Sequence, residues 1–312
     1  MSHKDILKSL LSFWAVTMFA TAGLFAQSES DAYRIETFRT SETPSVDIRT
    51  SGGFVRVHGH ERDEVQVVMY VRRGNRYLSP SDTNLSDFDI DISQTGDHIS
   101  AISERKGSGF NIFNRGSNIS VSFEVFVPER STVEGKTSGG SVFAENIHNN
   151  LILKTSGGSV TAKNSSGDIE LNTSGGSLSL EDLQGTISAK TSGGSVNVDR
   201  VRGAAELRTS GGSISINDGE GRFTASTSGG SIRAGFLSFT DDIELKTSGG
   251  SITVTLPDVS DFDLDLSGQR VITELRNFSG SSERNSIRGR VGNGGPKIEA
   301  KTSGGRVTLR YD

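Results

Sequence analysis

The chain has 312 residues, with 33 basic and 38 acidic side chains, a formal net charge of −5, 38 glycines and no cysteine. Disulfide staples, thiolate metal centres, cysteine nucleophiles and lipid anchoring through cysteine are excluded at once. The acidic balance offers nothing to nucleic acid, and glycine at this level without a G-X-Y period is not collagen.

Residues 1–26 place Lys4 and Lys8 ahead of an apolar run from Leu10 to Phe25, with Ala26 before the polar stretch that starts at Gln27. A run of about 16 residues is short for a membrane span. Its order of basic, apolar and small residues is that of a cleaved secretory signal. Residues 27–45 are aperiodic and read as a flexible linker. The mature chain is expected to be exported, to the periplasm, outer surface or medium, with no integral membrane span.

From residue 46 to 130 the sequence reads as a strand-rich N-terminal cap. Val46-Asp47-Ile48-Arg49 and Val55-Arg56-Val57 flank Thr50-Ser51-Gly52-Gly53, and further alternating stretches cover 65–71 and 119–127, the last ending at Pro128. Strict alternation of apolar and polar residues marks half-buried strands. His58 and His60, with Glu61 and Asp63 after them, form a pair of potential metal ligands on one strand face, but no third ligand is evident. No cofactor is implied. Asp87, Asp89 and Asp91 alternate with Phe88, Ile90 and Ile92, as expected of a strand with one wet face.

Two aperiodic stretches, 72–87 and 104–118, read as surface loops. One carries Arg72, Arg73, Arg76 and Tyr77, and the other Arg105, Lys106, Phe110, Phe113 and Arg115. Aromatic and cationic side chains on loops of a rigid scaffold suit sugar rings or a partner protein. The plainer reading is a pair of loops tucked over the end of the domain.

The repeat is the main signal. Thr-Ser-Gly-Gly begins at Thr50, Thr137, Thr155, Thr173, Thr191, Thr209, Thr227, Thr247 and Thr302. From Thr137 to Thr227 the interval is constant, and the next, to Thr247, is slightly longer. A period of about 20 residues indicates a stacked solenoid. Each unit holds two alternating stretches, such as Leu178-Ser179-Leu180 and Thr186-Ile187-Ser188-Ala189, with a weaker inward position between them at Ile147, Ser165, Leu183, Val201 and Leu237. Glycines at the corners are expected to supply positive φ. A single coil orders too much backbone for the apolar surface it buries, so the unit is stable only when stacked. The fold class is therefore all-β: a single parallel β-solenoid spanning 46–312, with regular coils over 131–256 and further coils and a cap over 257–312.

Residues one period apart become neighbours in such a stack. The Thr of each motif follows an inward aliphatic by two positions, which turns its hydroxyl inward and argues against an ice-binding face. Lys136, Lys154, Lys190, Arg208, Lys246 and Lys301 form a basic column. Glu170, Glu206, Glu244 and Glu299 form an acidic one beside it, a mixture that favours a solvated wall over a polyanion site. Glu181 lies beside Asp199, with Asp182 and Asp218 nearby and Lys163 and Arg200 at the margins. Paired carboxylates on neighbouring coils are what a polysaccharide hydrolase or lyase needs. A charged turn is the plainer reading. Asp261, Asp263 and Asp265 again suggest a strand with one wet face, 276–296 a surface loop, and Ile298–Leu309 a last partial coil that closes the stack.

Ser51-Gly52-Gly53-Phe54-Val55-Arg56-Val57, Val125-Phe126-Val127-Pro128 and the Thr-Ser-Gly-Gly-Ser ladder together resemble the bacterial "putative adhesin" family, once catalogued only as a domain of unknown function. The resemblance covers about residues 46–312. It implies an exported β-helix, by analogy right-handed, with an envelope or surface role and no catalytic residues to carry over. The expectation is a non-enzymatic, adhesin-like or scaffold protein that presents walls and loops to envelope polysaccharide or surface proteins. The alternative is a carbohydrate-active enzyme built on Glu181 and Asp199. Homotypic association through the solenoid ends is a further option.

Overall fold

The computed structural model describes residues 31–106, 119–258 and 261–311, and every regular element in them is a strand. The expected signal segment 1–26 lies outside the described residues, as do Phe110, Phe113 and Arg115.

The N-terminal section contains β1 (Arg34–Arg39), β2 (Ser45–Thr50), β3 (Val55–His60), β4 (Glu64–Arg73), β5 (Arg76–Tyr77), β6 (Phe88–Thr95), β7 (His98–Arg105) and β8 (Ile119–Pro128). The coils continue as β9 (Thr132–Thr137), β10 (Val142–Glu145), β11 (Leu151–Thr155), β12 (Val160–Asn172), β13 (Leu178–Lys190), β14 (Val196–Arg208), β15 (Ile214–Thr227), β16 (Ile232–Ser238), β17 (Ile243–Thr247) and β18 (Ile252–Leu256). The C-terminal section adds β19 (Phe262–Ser267), β20 (Arg270–Thr273), β21 (Phe278–Ser282), β22 (Ser286–Val291), β23 (Lys297–Thr302) and β24 (Arg306–Tyr311).

The long elements β12 to β15 each bend at a corner, so one element serves two walls. Their register is parallel and offset by one sequence period, with Val160 beside Leu178, Leu178 beside Val196 and Val196 beside Ile214. The first wall runs β8, β3, β10, the first halves of β12 to β15, β16, β18, β24 and β20. The second runs β7, β2, β9, β11, the second halves of β12 to β15, β17, β23 and β19. Alternate residues of both walls meet in one continuous apolar core.

The two corners use glycine differently. The Thr-Ser-Gly-Gly corners contain no positive φ. Their second glycine is required by close stacking: a Cβ on Gly176 would lie 1.9 Å from the carbonyl oxygen of Gly158, whereas one on Gly175 would meet nothing nearer than 3.6 Å. Positive φ belongs to the opposite corner, at Gly167, Gly185, Gly203 and Gly221 and at a column of Asn146, Asn164, Asp182, Arg200 and Asp218. Asn and Asp tolerate that conformation because their short side chains bond locally.

A hydroxyl ladder locks the tight corners. Thr173, Thr191 and Thr209 each donate to the glycine carbonyl of the preceding coil at 2.7–2.8 Å. Each also accepts from the second glycine N–H of its own turn at 3.2–3.4 Å. The threonines are buried, as their strand parity requires.

At both ends the chain leaves sequential order. The coil β2–β3 does not begin the stack; it lies between β7–β8 outside and β9–β10 inside. The last coil, β23–β24, likewise does not close the stack, because it inserts between β17–β18 and β19–β20.

Four further expectations are corrected. Part of the supposed linker, residues 34–39, is β1, antiparallel to β4; Arg34 and Glu36, an ion pair, occupy the face where an apolar alternation would have revealed it. The supposed loop 276–296 contains the hairpin β21–β22 paired to β19, hidden by its Ser and Gly content. In the 72–87 loop, β5 pairs with β4, and Leu78 is buried. Leu237 is 53% exposed, and Phe236, 3% exposed, takes its place. The longer coil carries a bulge there, and the missing side chain of Gly219 leaves the space into which Phe236 packs.

Candidate functional site

Outward positions of the second wall form two registered columns. Asp47, Glu134, Glu170, Glu206, Glu244, Glu299 and Asp265 supply seven acids in one. Arg49, Lys136, Lys154, Lys190, Arg208, Lys246 and Lys301 supply seven bases in the other. They pair across and along the stack, for example Lys154 with Glu170 at 2.9 Å and Lys190 with Glu206 at 3.2 Å. Hydrogen bonding from Lys297, ahead of the opposing cost of burial and with Lys301 and Lys246 adding to it, pulls the Glu299 carboxyl down to about 2. The two columns balance each other in charge. Asp265 departs from the wet-face expectation, since it is buried beneath Arg288 and Lys301 at 3.2 and 2.9 Å.

Glu181 and Asp199 are in register on adjacent coils, as the period required. They do not form a free acid pair. Lys163 contacts Glu181 at 2.5 Å, and Arg200 reaches Glu181, Asp199 and both oxygens of Asp182. The Arg200 hydrogen bond holds the Asp182 carboxyl below its usual range. Asp182 and Asp218 occupy the left-handed corner column, with Arg200 between them.

Among the loop residues, Tyr77 lies under the Arg72 guanidinium and edge-on to Tyr70, while Arg105 lies over the Phe88 ring. Arg73 ends β4 and is exposed. Asp82 ties the loop together by accepting from the Ser79 N–H, the Ser79 hydroxyl and Arg76.

The insertion of β3 between β8 and β10 builds a cluster that sequence reasoning missed. His58 on β3 bonds Glu145 of β10 through Nδ1 at 2.8 Å and Glu124 of β8 through Nε2 at 3.2 Å. Glu124 is 1% exposed and also accepts from the Tyr70 hydroxyl at 2.9 Å. Arg56 sits 3.8 Å from Glu124 and 4.3 Å over the Phe54 ring. His58 stacks on Phe126 of β8, and Phe143 of β10 is tilted against it. Burial would lower the His58 pKa, but hydrogen bonds to Glu124 and Glu145 outweigh it and the net direction is up. Burial would raise Glu124, but hydrogen bonds from His58 and Tyr70 outweigh it and the net direction is down. His60 takes no part: its Nδ1 accepts from the Arg62 N–H. No metal-ligand cluster occurs among the described residues.

Arg56, His58, Glu124, Phe143, Glu145 and Lys163 line a pocket of about 370 Å³ on this face. A signal was available in the sequence: Arg56-Val57-His58, Glu124-Val125-Phe126 and Phe143-Ala144-Glu145 share one alternation. Only their stacking order was hidden.

Solved structures resemble the chain at low identity. A "putative" lipid-binding protein of Parabacteroides distasonis is 14% identical with a TM-score of 0.44, covering 89% of this chain and 96% of its own. A "putative" adhesin of Parabacteroides merdae is 9% identical with a TM-score of 0.38, covering 89% and 95%. Another from Bacteroides fragilis is 12% identical with a TM-score of 0.27, covering 89% and 96%. No curated protein matches the chain. The family model described as Toastrack DUF4097 matches residues 24–310, nearly the whole chain, and the protein belongs to that family.

Proposed function

We propose that the protein is a non-catalytic, adhesin-like scaffold of the bacterial envelope that binds surface polymers or proteins and does not turn them over. One observation carries this reading: the carboxylates that sequence spacing offers for acid/base work are locked to Arg200 and Lys163, and the Asp182 carboxyl is shifted away from the protonated form a general acid requires. The binding position is the N-terminal pocket. Its volume is at the small end of ligand sites. Phe143 offers an apolar face beside Arg56, Glu145 and Lys163, a combination that suits a sugar ring.

The test is co-sedimentation with isolated envelope polysaccharide, with reducing ends measured in parallel. Binding without new reducing ends is expected, and Phe143→Ala should weaken it while Arg208→Ala on the second wall leaves it intact. Cleavage that disappears in the Glu181→Ala, Asp199→Ala double variant would overturn the reading.

A further inference from the structure

The two ends of the solenoid differ in charge, in exposed apolar side chains and in height. Residues 31–130 hold 15 acidic and 12 basic side chains, whereas 261–312 hold nine basic and seven acidic. The last strand of the second wall at the N-terminal end is β6, paired among the described residues only to β7, and its outward Asp89 and Asp91 are exposed. At the opposite end of the same wall the last strand is β21. Its Ser279 and Ser281 stand in register with exposed Arg290 and Arg288 of β22, so small side chains leave both guanidinium groups open on the rim side, while Arg288 holds Asp265 on its other side.

On the first wall the terminal strands are β1 and β20. They carry Ile35, 41% exposed, and Ile272, 36% exposed, two of the three large hydrophobic residues exposed among the described residues. Both point to the outer face, since Ile35 is in register with Val68, opposite the outward Glu124, and Ile272 with Thr308.

The heights are stepped in opposite senses. At the N-terminal end the first wall continues past β10 through β3, β8, β4 and β1, while the second continues past β9 through β2, β7 and β6. At the C-terminal end the first wall continues past β18 through β24 and β20, while the second continues past β17 through β23, β19, β22 and β21. A C-terminal end set on the N-terminal end of another copy therefore places the longer wall of each over the shorter wall of the other.

We propose that copies of this chain associate head to tail, the β21 edge of one pairing with the β6 edge of the next. Strand directions make the junction antiparallel. β21 runs with the core strands because it is reversed twice from β19, and β6 runs against them because it is reversed once from β7. Antiparallel edges complete each other's hydrogen bonding without a crossover. Asp89 and Asp91 then face Arg288 and Arg290 across Ser279 and Ser281, whose small side chains leave room for the guanidinium reach. The contact is heterologous and does not close on itself, so it extends into a filament with one continuous solenoid axis. Because opposite charges steer it, added salt weakens it.

Sedimentation velocity over a wide concentration range tests this. The wild-type chain should grow in mass with concentration and lose that growth in high salt. Asp89→Arg with Asp91→Arg spoils one end, and Arg288→Glu with Arg290→Glu spoils the other. Each variant alone should remain monomeric, and an equimolar mixture should regain growth with concentration, because the intact ends of the two variants meet and their two reversed ends again carry opposite charges. Circular dichroism establishes that both variants fold; if the Arg288, Arg290 double variant does not, Arg290→Glu alone, which keeps the Arg288–Asp265 ion pair, weakens the same end. A wild-type chain that stays monomeric throughout, or a mixture of folded variants that fails to regain growth, overturns the proposal.

Discussion

The middle of the molecule and its ends are held together by different physics. In the central coils every strand meets a neighbour one period away, and the bonds that lock the corners are neutral and repeated, one threonine hydroxyl and one glycine carbonyl per coil. At the N-terminal end the partners are distant, with Ser45 beside Thr132, and a buried ionic cluster joins three strands through His58. Repetition suffices where neighbours are local. Where the chain inserts a terminal coil between two others, side chains specific to that place must hold it.

The largest expected effect is in the central coils. Gly176→Ala drives a Cβ into the backbone of the coil below and should cost about 3–5 kcal/mol or prevent folding, whereas Gly175→Ala should stay within about 0.5 kcal/mol. Equal melting temperatures for the two variants would break the account of the corner as a close-approach site. Next in size is Thr191→Val, which keeps the shape but strands the Gly176 carbonyl and the Gly194 N–H. A loss of about 1–3 kcal/mol is expected by denaturant titration, with no dependence on pH across the neutral range.

The smallest effect belongs to the cap and should differ in kind. The raised His58 pKa means that its contribution is complete below its ordinary value of 6.5 and fades as pH rises through the folded-state value. The lowered Glu124 pKa means that its contribution is complete above 4.5 and fades as pH falls through its own folded-state value. Arg56 and Tyr70 face the same carboxylate, and burial, with the hydrogen bond to Glu124, pushes the Tyr70 hydroxyl up and away from that window. The stability difference between the wild-type chain and His58→Gln should therefore shrink as pH is raised through neutrality. A constant difference would show that His58 acts only by packing.

Much of this was legible in residue order. The alternation placed Leu178, Leu180, Ile187 and Ala189 inside, the period placed Glu181 against Asp199, and the two charged columns were visible as neighbours. Local rules read less well where one residue's absence shaped another, as when Gly219 made space for Phe236 and left Leu237 outside. They failed for β1 and for the β21–β22 hairpin, because Arg34, Glu36 and a run of serines carry no apolar period. The His58 cluster was invisible for another reason. Its members lie on alternating strands that were each recognised, but nothing in 58, 124 and 145 as numbers says that those strands touch.

The amino-acid order alone determined a parallel stack of coils with a near-constant step, which side chains face inward, and that one outward face carries charges of both signs. Those properties follow from spacing along the chain, and spacing acts locally. Tertiary structure decided the order of coils at the two ends, and with it the carboxylates that meet His58 and the edges left open. Closing a long loop costs only slowly more than closing a short one, so strands far apart in the chain compete on nearly equal terms, and packing selects among them.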